Sequence, residues 1–117
     1  YALFCAIVPK TIPTVDQTYF CPVTATVSII GGKWKPIILW ILFQDKKRFS
    51  ELKRSIPKIT QKMLTQQLRE LEQDGIINRK VYPVVPPQVE YSLTTKGDTL
   101  APILKAMEKW GNTHQKI

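Results

Sequence analysis

Between Thr60 and Gly75 the chain carries a single apolar stripe, and directly after Gly75 its period changes. Leu64, Leu68 and Leu71 stand at i, i+4 and i+7, which aligns them on one face of a helix. Thr60 is a good N-cap, because its hydroxyl can accept from a free N–H of the first turn. Gly75 is a good stop, since glycine takes the left-handed conformation that closes many helices. Residues 76–82 and 88–93 then alternate like strands. Pro83-Val-Val-Pro-Pro87 lies between them, too rich in proline for a central strand. A capped helix that runs straight into an antiparallel hairpin leaves few folds open to a chain of 117 residues, about one domain's worth.

The upstream segments narrow the choice. A helical pattern begins at Pro22, with Val23, Val27, Ile29 and Ile30 near one face, Thr24 as its expected cap and Gly31-Gly32 as its end. Residues 35–43 are apolar nearly all round. Their β-branched content allows a buried strand, but Pro36 at the opening and the polar run 44–48 at the close favour a core helix. Residues 49–56 read as a short helix with Phe49, Leu52 and Ile56 inward, ended by Pro57. After the hairpin, Thr94 is expected to cap a last helix, with Leu100, Ile103, Leu104, Met107 and Trp110 at helical spacing and Gly111 as its stop. A short helix, a tight break, a longer helix and a hairpin make a winged helix-turn-helix. The expected fold is therefore mainly α with a small β-hairpin. Residues 1–20 form an N-terminal arm, 21–113 the domain and 114–117 a short tail.

Charge points to a partner. Lys and Arg number 17 against 9 Asp and Glu, for a net charge of +8. That excess suits nucleic acid or an anionic surface, although a merely soluble basic protein is the plain alternative. At about 100° per residue, Gln61, Lys62, Thr65, Gln66 and Arg69 fall opposite the leucine stripe, with Thr60 at their head. Gln pairs with adenine, Arg or Lys with guanine, and Thr touches a thymine methyl or a phosphate. Glu70, Glu72 and Asp74 lie towards the far end of the helix. Arg48, Lys53, Lys58, Arg79 and Lys80 are candidates for phosphate contacts, which position a protein without reading sequence.

Other classes fare poorly. Cys5, Cys21 and a single His114 do not make a zinc site or a histidine-centred triad, and no cofactor is expected. An enzyme finds no paired carboxylates and no phosphate-cradling glycine loop. A winged helix that binds RNA or protein keeps the fold, but the chain shows no exposed aromatic pair for stacking bases. The longest apolar runs, residues 1–8 and 37–43, fall short of the roughly 20 residues of a membrane span. The first run also lacks the basic start and small-residue site of a signal peptide. Cytoplasmic, nucleoid-associated residence is the expectation.

The motifs Cys21-Pro-Val, Ile30-Gly-Gly-Lys-Trp34, Arg48-Phe-Ser-Glu-Leu52 and Leu64-Thr-Gln-Gln-Leu-Arg-Glu-Leu-Glu-Gln-Asp-Gly75, with the hairpin Val81 to Thr94, resemble the HxlR-type transcriptional regulators. These are bacterial and archaeal winged helix-turn-helix proteins, distant relatives of the MarR type. The resemblance covers about residues 21–111. It implies a regulator, a repressor in the first instance, that binds a pseudo-palindromic operator in double-stranded DNA as a homodimer. It implies dimerisation through the first and last helices, so that Leu100, Ile103, Leu104, Met107 and Trp110 would serve the interface. It also implies a candidate redox or electrophile sensor in Cys21, or else a small-molecule signal. Many relatives carry an acidic residue where Val84 stands and an arginine where Gln88 stands, which removes a charge from the wing. No family role attaches to Cys5.

Overall fold

In the computed structural model, residues 21–115 are described here. The arm, Cys5 and the last two residues lie outside them. The chain divides into two units after Gly31.

The first unit carries helix α1, Pro22–Ile30. Pro22 opens it, because its fixed φ suits the first helical position and its missing N–H would lack a partner there anyway. The cap is thus the residue before it, Cys21, whose backbone is extended and whose carbonyl accepts the Ala25 N–H at 3.1 Å. Thr24 lies inside the helix and is not its cap, a correction that follows from the position of Pro22. Ile30 is buried, whereas Val23 and Val27 are 60% and 55% exposed.

The second unit opens with α2, Trp34–Gln44. Pro36 falls in its first turn, where a missing N–H costs nothing. Ile38, Leu39 and Leu42 are buried, as a helix apolar on all sides requires. Next come the strand β1, Lys47–Arg48, and the short helix α3, Phe49–Ser55. The Glu51 carboxylate reaches back to accept the Arg48 N–H at 2.8 Å, satisfying one free donor at the α3 start. The break before the next helix is pinned by Ile56 and Ile59, both buried, on either side of Lys58. Lys58 takes φ of 72°, a left-handed conformation that side chains rarely adopt and that a tight turn imposes here.

Helix α4, Gln61–Gln73, follows the expected outline. The Thr60 hydroxyl accepts the Met63 N–H at 3.0 Å. Leu64, Leu68 and Leu71 are buried, and Gly75 turns the chain with φ of 76°. The Ile76 N–H closes on the Leu71 carbonyl at 3.0 Å, which satisfies a carbonyl of the last turn. Strands β2, Ile77–Tyr82, and β3, Gln88–Leu93, pair antiparallel in the register Ile77 with Leu93 and Tyr82 with Gln88. β1 pairs with β3 as well, Lys47 opposite Tyr91, so the sheet has the order β1-β3-β2. The expected hairpin is thus part of a three-stranded sheet. A strand of two basic residues carries no alternation by which sequence could announce it.

The last segment breaks in two, α5 (Thr95–Asp98) and α6 (Ala101–His114). Thr94 caps the first piece by accepting the Gly97 N–H at 3.0 Å. The single helix expected after Thr94 fails at Pro102, which has no N–H for the carbonyl four residues back and whose ring crowds that turn. Gly97 is buried, and a Cβ there would collide with the Ile76 carbonyl, so glycine lets α5 sit close against the strand entry. Gly111 does not stop α6, which continues to His114 because a lone interior glycine costs only about 1 kcal/mol. The His114 ring stacks on Trp110 with centroids 4.3 Å apart. Among the described residues no single helix is long and apolar enough to cross a membrane.

Candidate nucleic-acid interface

α4 presents its polar side as one surface. Gln61, Lys62, Gln66 and Arg69 are exposed and Thr65 half-buried, and these five residues line one shallow hollow of about 460 Å³. Their spacing made this legible in the sequence. The Thr65 hydroxyl donates to the Gln61 carbonyl at 2.8 Å, which holds its methyl in one place. Thr60, expected to belong to the contact face, has its hydroxyl oxygen engaged as the helix cap.

The sheet adds a second wall. A cleft of about 480 Å³ runs between α4 and the strands, lined by Gln61, Thr65 and Arg69 on one side and Arg79, Val89 and Tyr91 on the other. Successive residues of a strand point to opposite faces. Arg79 faces the cleft accordingly, while the Lys80 ammonium sits 4.9 Å from the Tyr82 ring centroid, beside a Tyr82 hydroxyl that donates to Glu90 at 3.0 Å. The sequence groups Arg79 with Lys80, and the pleat separates them. Arg48 and Gln88 share another hollow with Phe49 and Pro87, because β1 lies beside β3. Lys53 and Lys58 are exposed on α3 and on the turn, and line neither the hollow of α4 nor the cleft.

One ion pair went unforeseen. Lys35, the second residue of α2, is only 9% exposed, and its ammonium lies 2.6 Å from the Glu70 Oε1. The signal was a lone cation at the head of an apolar helix, because a buried charge requires a partner. Glu70 Oε2 accepts from the Gln66 amide at 3.3 Å. The bond from Lys35, then that from Gln66, then the ammonium's charge hold the Glu70 carboxyl below its usual range. A depressed carboxylate stabilises the fold above its unfolded pKa and loses that contribution as pH falls through the folded value. Thermal melts of wild type and Glu70→Gln should therefore differ at neutral pH and converge as acid protonates Glu70. A constant difference down to pH 2 would refute this.

The interface expected on the last helix is divided by its own geometry. Leu104 is 3% exposed and belongs to the core, Leu100 is half-buried, and Ile103, Met107 and Trp110 are exposed, Trp110 at 66%. Leu104 and Met107 join Pro36, Ile37, Trp40 and Ile41 of α2 around an apolar groove of about 300 Å³. At the start of α1, Cys21 is half-buried at the N-cap.

A short helix, a turn pinned by two isoleucines, a donor-faced second helix and a sheet alongside it define a winged helix-turn-helix. The chain belongs to the family of HxlR-like helix-turn-helix proteins, whose model matches residues 29–117. This is a family of transcriptional regulators, not of enzymes. The chain is 58% identical to the HTH-type transcriptional regulator YdeP of Bacillus subtilis over 100 residues, 86% of this chain and 78% of that protein. It is 57% identical to an HTH-type transcriptional regulator of Methanothermobacter thermautotrophicus over 99 residues, 85% of this chain and 76% of that one. Among solved structures, the redox regulator HypR in its oxidized form is 55% identical with a TM-score of 0.79, over 83% of this chain and all of that one. The reduced form of the transcriptional regulator YodB from B. subtilis is 38% identical with a TM-score of 0.70, over 82% and 95%. A solved regulator of the MarR family from Porphyromonas gingivalis W83 is 41% identical with a TM-score of 0.76, over 86% and 96%, which places the MarR type within structural reach.

Proposed function

We propose that the chain represses transcription by binding a pseudo-palindromic operator as a homodimer, each subunit laying α4 in a major groove. The observation that carries this is the single exposed face of Gln61, Lys62, Thr65, Gln66 and Arg69, continued by Arg79 across the cleft. Two such helices would read half-sites about 34–36 Å apart, one turn of the duplex. Arg48, Lys53, Lys58 and Lys80 would hold phosphates, and Gln88 would meet flanking backbone by hydrogen bonding alone. The exposed Ile103, Met107 and Trp110, together with Val23 and Val27 of α1, support dimerisation through the first and last helices. A basic nucleoid-associated protein of the cytoplasm fits this role.

The test is fluorescence anisotropy with the duplex upstream of the protein's own gene, against a scrambled duplex of equal length. With roughly 6–10 phosphate contacts per dimer, affinity should fall about 10³–10⁵-fold between 50 and 200 mM salt. Binding that the scrambled duplex abolishes equally well would leave a sequence-blind basic module.

We infer that Cys21 is the point of redox control. The relative HypR has been solved in oxidised and reduced forms, and YodB in reduced and diamide-treated forms. Cys21 stands half-buried at the N-terminus of a nine-residue helix, a position from which redox-active thiols commonly react. Oxidation joins this sulfur to a second thiol. Two electrons and two protons pass to the oxidant, and diamide becomes the hydrazine. Diamide should shift the operator affinity of wild type at least about tenfold, a change of about 1.4 kcal/mol. Cys21→Ser should bind as wild type does and ignore diamide. A Cys21→Ser protein that still responds would move the sensor elsewhere.

A further inference from the structure

We propose that Glu70, held in place by Lys35, is a positioning residue that makes Gln66 select adenine over guanine. The inference rests on α4 facing DNA as proposed above, and adds what its reading face prefers.

The argument begins inside the protein. The ammonium of Lys35 is nearly buried, so an acceptor must meet it to offset its lost hydration. It meets Glu70 Oε1, and the stem of Lys35, packed at the head of α2, gives that ammonium one position. The carboxylate is thereby fixed from behind, although its own side chain is 40% exposed. Its second oxygen is left pointing along the helix towards Gln66, one turn earlier, and accepts from Nε2 at 3.3 Å.

That bond orients the Gln66 amide. An ionised carboxylate only accepts, so the end of the amide that faces Glu70 is the nitrogen. One of its two N–H groups is thus committed. What remains for the groove is one N–H donor and one carbonyl acceptor. Adenine offers N7 as an acceptor and N6 as a donor, and this pair matches both. Guanine offers only acceptors there, N7 and O6, and would require two donors. A free glutamine turns either way and must lose that freedom on binding, whereas the Gln66 amide is oriented beforehand. Lys35 also offsets the charge of a carboxylate that would otherwise stand uncompensated near the phosphates.

The experiment is selection from a randomised duplex library with the full chain, followed by sequencing, for wild type, Gln66→Ala, Glu70→Ala and Lys35→Met. Melting curves would establish that each variant is folded, and Lys35→Met serves should Glu70→Ala not fold. Gln66→Ala identifies the base pair this residue reads. At that pair wild type should prefer adenine to guanine by about tenfold or more, within the range a good bidentate contact provides. Glu70→Ala and Lys35→Met should each bring the ratio down towards that of Gln66→Ala, and Glu70→Ala should add nothing in a Gln66→Ala background. A merely structural role for the pair would lower stability or overall affinity and leave the ratio alone. That outcome overturns the proposal, as does a Gln66→Ala profile identical to wild type at every position. If wild type enriches no motif, the operator reading itself falls, which separates that failure from this one.

Discussion

Lys62→Ala combined with Arg69→Ala should weaken operator binding by about 10²–10³-fold and leave the fold intact. Both side chains are exposed on α4 and line its hollow, so truncating them creates no cavity. Changes of that kind move stability by no more than about 0.5 kcal/mol. An arginine paired to guanine provides about 1–3 kcal/mol of discrimination. A lysine meets guanine as a point charge and not as a fork, and its removal also lowers the salt slope by about one. The two singles should therefore differ in degree. Both should weaken the operator more than the scrambled duplex, and Arg69→Ala should do so by the larger ratio. Anisotropy titrations of the double variant, with melts alongside, decide the matter. Unchanged operator affinity would remove α4 from the interface.

Leu68→Ala should destabilise the protein by about 2–5 kcal/mol, the range for a buried leucine truncated in a packed core. Leu68 is 1% exposed and lies between Leu64 and Leu71 on the inward stripe of α4. Domains of this size have roughly 5–15 kcal/mol in total, so the loss is a large share. At about 4–8 °C per kcal/mol, the melting temperature should fall by about 8–40 °C. Operator binding at physiological temperature should fall with it, although no side chain that faces the groove has changed. Cooling should restore binding in Leu68→Ala and not in the Lys62 and Arg69 variant, which distinguishes a lost helix from a lost contact. Val85→Ala, at a 99% exposed position on the hairpin loop, should leave the melt unchanged.

Much of the site was legible because its determinants are local. The Thr60 cap, the leucine stripe and the Gly75 turn are each decided within a few residues, and all three stand where the spacing puts them. The polar face of α4 follows from the same period, since whatever opposes three buried leucines must face outward. Even the hairpin register is short-range, as two alternating runs joined by a stiff loop have few ways to pair. Two of the expectations that fail do so at a proline. The pattern puts a cap at Thr24 although Pro22 already places the helix start, and runs the last helix unbroken through Pro102. In both places the proline's backbone limits outweighed the pattern of side chains.

The sequence by itself determined the order of the main helices and the hairpin, the ends of α4 at Thr60 and Gly75, and which side of α4 carries its donors. Only the tertiary structure decided which distant groups meet. β1 is a strand because β3 passes beside it, with Lys47 opposite Tyr91 and Arg48 opposite Glu90, not because those residues favour extension. Leu104 is core and Trp110 is surface on one helical stripe, because α2 covers the first, whose side chain helps to line the groove it shares with α2. Lys35 pairs with Glu70 because the packing of α2 against α4 puts a dehydrated ammonium where that carboxylate stands. Periodicity and capping act over one or two turns and can be read along the chain. Burial, and the partner a buried charge must find, depend on what the rest of the chain lays over it.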